Sequence, residues 1–137
     1  VLSYPNSTTL DNNLKSDEIL PMASANFIVS EDMQVRIGVS QTLSRPGITE
    51  RSQSVQYDPE TDEQIFGNPN LQVSKISNLD LRAEYYFSEE ENLSFAVFSK
   101  DITDPIERSI PDGSGSAADG STFRNEDSAS VQGLEID

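Results

Sequence analysis

Acidic side chains are the first candidates for chemistry in this chain. Asp58, Glu60, Asp62 and Glu63 crowd one short stretch, and clustered carboxylates are what a hard cation such as Ca²⁺ takes. The stretch lacks the glycine and the terminal glutamate of a calcium-binding loop, so it reads as a solvated acidic loop. Asp112-Gly113 and Asp119-Gly120 look calcium-like too, but they lie in Gly/Ser-rich sequence that reads as flexible loop. Nucleophilic catalysis needs a hydroxyl or thiol with a base beside it. Serines are plentiful, yet the chain has 0 His and 0 Cys. The commonest general base, the commonest imidazole metal ligand and any thiolate are therefore missing. Glu89 and Glu90 form a carboxylate pair, but in a polar turn away from any expected cavity. We assign no catalytic residue, no metal and no cofactor, and read the chain as a non-enzyme. Binding remains. Arg45 in Ser44-Arg45-Pro46, and Asn68 and Asn70 in Gly67-Asn68-Pro69-Asn70, are the substrate-contact candidates. Turn chemistry gives all three a plainer role, ending a strand and anchoring a loop.

The totals narrow the class. The chain of 137 residues carries 9 Lys+Arg against 24 Asp+Glu, a formal net charge of -15. Nucleic acid needs a basic footprint and is excluded as a partner. Hydrophobic residues make up 34%, lean for a water-soluble core, and no run approaches the roughly 20 apolar residues of a membrane helix. Val1-Leu2-Ser3-Tyr4-Pro5 has neither the basic start nor the apolar core of a signal peptide. The chain also stops within strand-like sequence, Gly133-Leu134-Glu135-Ile136-Asp137, so we expect a piece of a longer protein.

Strands must position these residues. Leu79, Leu81, Ala83, Tyr85 and Phe87 alternate with Asp80, Arg82, Glu84 and Tyr86, and a period of two gives one apolar and one wet face. After the polar run Ser88–Asn92, Leu93, Phe95 and Val97 resume the alternation, which predicts an antiparallel hairpin. Ala23, Ala25, Phe27 and Val29 predict an earlier strand, and Met33, Val35, Ile37 and Val39 the one after it. The expected strands are about 20–29, 33–43, 76–87, 93–102 and 125–137, with long loops at 1–19, 44–75 and 103–124. In the last strand the phase slips at Gly133, which predicts a bulge.

Short turns and long loops alternate along the chain, so they fall at opposite ends of the sheet. Outer-membrane barrels are built that way, with strands of roughly 9–11 residues. Phe27, Tyr85, Tyr86, Phe87 and Phe95 all lie near a short turn, as an interfacial aromatic girdle requires. The expected fold is all-β: an antiparallel up-and-down meander of about five strands, part of a transmembrane β-barrel. Arg36, Asp80, Arg82 and Glu84 are then expected to face the lumen and pair across strands. The small residues Ala23, Ala25, Ala83 and Ala129 suit a lipid face. The rival fold is a soluble secreted β-sandwich that binds partners through its long acidic loops, and it needs large interdigitating residues instead.

The order of short motifs adds a family. Thr42-Leu43-Ser44-Arg45-Pro46, Gly67-Asn68-Pro69-Asn70-Leu71, Leu81–Phe87, Phe98–Ile102 and Val131–Glu135 occur in sequence. The set resembles the later part of the barrel of TonB-dependent outer-membrane receptors, over about residues 20–137. The chain departs from the resemblance after the GNP motif, where Val73-Ser74 stand in place of Pro-Glu. The resemblance implies a barrel of about 22 strands filled by an N-terminal plug, set in the outer membrane of a Gram-negative bacterium. It implies energised uptake of a nutrient: a siderophore, a vitamin or a glycan. The implied partners are outer-membrane lipid, a small-molecule or glycan ligand, and an energy-coupling protein that acts through a plug region missing from this chain. The five strands by themselves could not transport anything.

Overall fold

The computed structural model describes residues 17–110 and 120–137. Five long strands, β1 (Met22–Ser30), β2 (Met33–Ser44), β5 (Ser74–Tyr86), β6 (Asn92–Thr103) and β9 (Ser128–Ile136), form one sheet in the order β1-β2-β5-β6-β9. Every neighbouring pair is antiparallel, so chain order is spatial order and the sheet is an up-and-down meander. The period-two pattern explains this arrangement. Val35, Ile37 and Val39 stand in register with Ala83, Leu81 and Leu79 on one face. Leu81 and Ala83 are in turn opposite Val97 and Phe95, and Val97 and Phe95 opposite Leu134 and Ile136. A slip of one residue would turn all of these to the wet face.

That apolar face is bare. Leu81 is 42% exposed, Phe95 45% and Leu134 59%. Among the described residues, Leu71 is the one fully buried hydrophobic. A water-soluble sandwich would cover such a face with a second sheet, whereas a barrel presents it to lipid.

The stretches 44–75 and 103–124, expected as long loops, carry structure of their own. Helix α1 (Ile48–Arg51), β3 (Val55–Asp58) and β4 (Glu63–Phe66) lie in the first; β7 (Ile106–Ser109) and β8 (Ser121–Asn125) lie in the second. Their strands build a second sheet in the order β3-β4-β8-β7. The strand expected over 125–137 is β9, which begins at Ser128, and β8 ends just before it at Asn125. The strands of the second sheet are each only four or five residues long, too short for alternation to announce them. The β4–β8 contact is a parallel pairing of Ile65 with Ser121 and Phe66 with Thr122, and no local pattern encodes a partner that far away.

Gly133 is not a bulge. The β6–β9 ladder runs unbroken from Phe95↔Ile136 to Thr103↔Ser128. The glycine sits opposite Phe98, and a Cβ there would lie 2.3 Å from the Phe98 ring. The missing side chain makes room for an aromatic ring laid over the neighbouring strand. The pleat does not slip; Ala129 and Val131 are on the same face as Lys100 and Ile102, so Ala129, expected on the lipid face, lies on the polar one. The one irregularity in this sheet falls instead between Ile28 and Ser30, at the tight β1–β2 turn.

Candidate functional site

The four residues expected to face a lumen share one face of the sheet. Arg36 is directly opposite Arg82, Gly38 opposite Asp80, and Gln34 opposite Glu84. Two arginines face to face repel, and neighbouring acceptors offset this. Arg82 Nε donates to Glu84 Oε1 at 2.7 Å, and Arg82 Nη2 to Ser94 Oγ at 3.1 Å. Glu84 is 8% exposed and is the hub. Its Oε2 also accepts from Gln34 Nε2 and from the Tyr86 hydroxyl, the latter at 2.8 Å. Gln34 Oε1 accepts from Asn26 Nδ2 at 3.0 Å, and Ser94 Oγ donates to Asp137 Oδ2 at 3.4 Å.

The result is a hydrogen-bonded belt across the full width of the sheet: Asn26, Gln34, Glu84, Arg82, Ser94, Asp137. It lies near the short-turn end. Alternation marks Gln34 and Ser94 as polar-face residues, but their membership needs the register. Tyr86 belongs to this belt, not to the aromatic girdle; it is an even-numbered residue of β5, on the Glu84 face. Tyr85 and Phe87 remain on the other side, with ring centroids 4.9 Å apart in edge-to-face contact. Further along the polar face, Arg36, Asp80, Arg82, Phe98, Lys100 and Glu135 line one shallow groove. Lys100 Nζ lies 5.6 Å from the Phe98 ring centroid, a cation–π contact.

At the far end of the sheet the two excursions meet. Arg108 on β7 is the centre. It donates to Glu63 on β4, lies 3.8 Å from Asp58 on β3, and donates through Nε to Ser121 Oγ on β8 at 2.6 Å. Asn68 Nδ2 donates to Phe123 O at 2.9 Å, and Thr122 Oγ1 to Phe66 O at 3.0 Å. At the base, Ser74 Oγ and Asn125 Nδ2 both donate to Asp104 O.

The acidic stretch forms the β3–β4 turn. Asp58 Oδ1 accepts from the Glu60 amide at 3.0 Å, and Asp62, with φ 58°, takes the Tyr57 hydroxyl at 2.6 Å. The Glu60 amide, with help from Thr61 and Arg108, holds the Asp58 carboxyl below its ordinary range. The Asp62 carboxylate raises the Tyr57 hydroxyl. Among the described residues no acidic cluster is arranged to hold a metal. Asp112, Gly113 and Asp119 lie outside the described residues.

The ligand-contact candidates separate. Asn68 is committed to structure: its Oδ1 accepts the Asn70 amide at 2.9 Å while its Nδ2 holds Phe123. Asn70 is exposed. Arg45 is exposed, has no ion-pair partner among the described residues, and lines a groove with Glu50, Ser74, Ile76, Ile102 and Ile106. Ile76 and Ile102 are directly opposed on the polar-face register of β5 and β6, so this groove opens on the same side as the belt. Arg108 and Asn125 escaped sequence reasoning, since an isolated polar residue in a short strand carries no signal.

A family model for the TonB dependent receptor-like β-barrel matches residues 2–137. The chain belongs to this family. As a TonB-dependent receptor barrel segment, its five-stranded meander is part of a transmembrane β-barrel, which removes the sandwich reading. No curated protein matches it. Among solved structures, the siderophore receptor PirA from Pseudomonas aeruginosa aligns with a TM-score of 0.71 and 18% identity, over 85% of this chain and 24% of PirA. The ferric enterobactin receptor PfeA from the same organism, in complex with enterobactin, aligns at 0.65 and 20% identity, over 85% of this chain and 19% of PfeA. The Serratia marcescens hemophore receptor HasR, in complex with its hemophore HasA and heme, aligns at 0.71 and 13%, over 85% and 19%. At these identities the likeness is one of fold. The TonB-dependent barrel segment spans about a fifth to a quarter of those receptors.

Proposed function

We propose that this chain forms a wall section and part of the extracellular surface of a receptor in the outer membrane of a Gram-negative bacterium. The receptor takes up a small-molecule or glycan ligand with energy delivered through a plug. Family membership supports this reading. The observation that carries it is the two-faced meander. One face is apolar and bare, fit for lipid; the other is crossed by the Asn26–Asp137 belt. Hydrogen-bonded polar side chains in the membrane belong on a barrel's interior face. Arg36, Asp80, Arg82 and Glu84 therefore line the lumen. Arg45, exposed beside the groove at the mouth, is the ligand-contact candidate we retain.

Siderophores, vitamins and glycans are the three ligand classes to be told apart. The test is uptake by the full-length receptor in a strain deleted for it, with radiolabelled ligands of the three classes. Accumulation of one class that needs the receptor and the inner-membrane proton gradient supports the reading. Equal accumulation with and without the receptor, for all three, would overturn it.

A further inference from the structure

We propose that the lipid-facing side of this wall ends, away from the short turns, in a hydrogen-bonding collar that takes the sugar hydroxyls of a glycolipid headgroup. The proposal rests on the membrane reading above. The apolar face has two unlike ends. Near the short turns it carries exposed rings: Phe27, Tyr85, Phe87 and Phe95. At the other end, among the described residues, the five long strands place no ring on this face. The row of Val39 and Leu79 is followed by Gln41, Ser77, Asp101 and Ser130, in register across four strands. Lys75, Thr103 and Ser128 form the row beyond. On β6 and β9 the change comes one row sooner, where Leu79 is opposite Ser99 and Ser99 opposite Gln132. Outer-membrane barrels carry aromatic girdles at both interfaces. Here hydroxyls and amides stand in place of one of them.

Depth sets this collar among headgroups. Ser77 precedes Phe87 by ten residues, about 33 Å along a strand at roughly 3.3 Å per residue. A tilt of about 40° reduces that to about 25 Å, the height of a barrel's apolar band. The collar's chemistry then selects the headgroup. A phosphate is bound by cations. Lys75 is the one basic residue in these rows, and it is engaged with Glu18 at 2.9 Å. Asp101 repels an anion but accepts from hydroxyls. Ser77, Ser130 and Gln132 are exposed, and among the described residues their side chains bond no other protein group. Hydroxyls and carboxamides donate and accept, as sugar hydroxyls do.

The experiment places the full-length receptor in phosphatidylcholine nanodiscs holding equal mole fractions of two lipids. A digalactosyl lipid has sugar and no phosphate; phosphatidylglycerol has phosphate and no sugar ring. Native mass spectrometry counts the lipids that leave with the receptor. The unmodified receptor should retain the digalactosyl lipid about fivefold over phosphatidylglycerol, the effect of a single net hydrogen bond. Ser77→Leu, Ser130→Leu and Gln132→Leu together should abolish the preference, while a gel shift on boiling shows that the variant barrel is folded. Ser77→Thr with Ser130→Thr keeps the hydroxyls and should keep the preference. Lys75→Ala should leave the ratio unchanged. Equal retention of the two lipids, a preference for phosphatidylglycerol, or a leucine variant that still prefers the sugar would overturn the proposal. A receptor that retains no lipid would overturn the membrane reading beneath it. Ligand uptake enters none of these readouts, so failure of the collar and failure of the uptake reading are distinguishable.

Discussion

Leu81 and Arg82 are neighbours with opposite duties. Leu81 is opposite Ile37 and Val97 on the bare face; Arg82 is opposite Arg36 and tied to Glu84 and Ser94 on the other. Leu81 precedes the aromatic Phe87 by six residues, about 20 Å at roughly 3.3 Å per residue and less when tilted, which sets it near mid-bilayer. Arg at that depth on a lipid face costs about 2–4 kcal/mol. Leu81→Arg in the full-length receptor should therefore destabilise strongly. Arg82→Leu should cost about 1 kcal/mol, since Glu84 keeps Gln34 and Tyr86. Denaturant titrations in bilayers rank the two; a larger loss for Arg82→Leu would mean the faces are reversed. At this scale the alternation was a reliable guide to which side chains share a face. It could not pair Gln34 with Glu84, because they are fifty positions apart and a pattern of period two is silent about register. Tyr86 misled for a different reason: nearness to a turn suggested a girdle, although the alternation had already set it on the Glu84 face.

Among the elements, long strands were legible and short ones were not. Twelve or thirteen residues of alternation in β2 and β5 leave little ambiguity. Four residues, Val55-Gln56-Tyr57-Asp58, leave nearly all of it. Gly133 shows a subtler failure. A polar-face run of Ala129 and Val131 near the mouth imitated a phase slip, and a glycine beside it imitated a bulge. The actual cause is steric, and it makes a test. Gly133→Val should drive a side chain into the Phe98 ring and cost about 1–3 kcal/mol. Phe98→Ala in the same receptor should recover part of that loss; no recovery would mean the glycine serves the backbone instead. The β3–β4 hairpin offers a test in pH. Its Asp58 carboxyl is held below the ordinary carboxylate range, first by the Glu60 amide. A lowered folded value means the stabilisation is complete above the ordinary value of about 3.9 and is lost as pH falls through the lowered one. Exchange of Val55–Phe66, corrected for intrinsic rates, should be steady from pH 7 to 5 and rise only below about pH 4. Asp58→Asn should remove that acid dependence, and a hairpin already loosening at pH 6 would contradict the assignment.

The whole molecule has a direction. The turns between Ser30 and Met33 and between Tyr86 and Asn92 are short, and both lie at one end of the meander. The cap built from β3, β4, β7 and β8 lies at the other. Barrels of the outer membrane keep short turns on the periplasmic side and long excursions outside, so the cap should face the medium. The bare apolar face and the open edges of β1 and β9 add that the isolated chain should aggregate in plain buffer and need detergent. Orientation can be read directly in living cells. Thr61 is at the tip of the β3–β4 turn, exposed, and Glu90 is in the β5–β6 turn, also exposed. Both sites should tolerate an inserted epitope, because both are exposed positions at turn tips outside the strands. In intact cells expressing the full-length receptor, antibody should label the Thr61 insertion and leave the Glu90 insertion dark, until the outer membrane is permeabilised and both are labelled. The permeabilised sample matters, because it shows that the Glu90 epitope is present and readable. The reverse pattern, with Glu90 labelled in intact cells and Thr61 only after permeabilisation, would place the cap in the periplasm. Arg45 and its groove would then face the interior, and an entry role for them would be untenable.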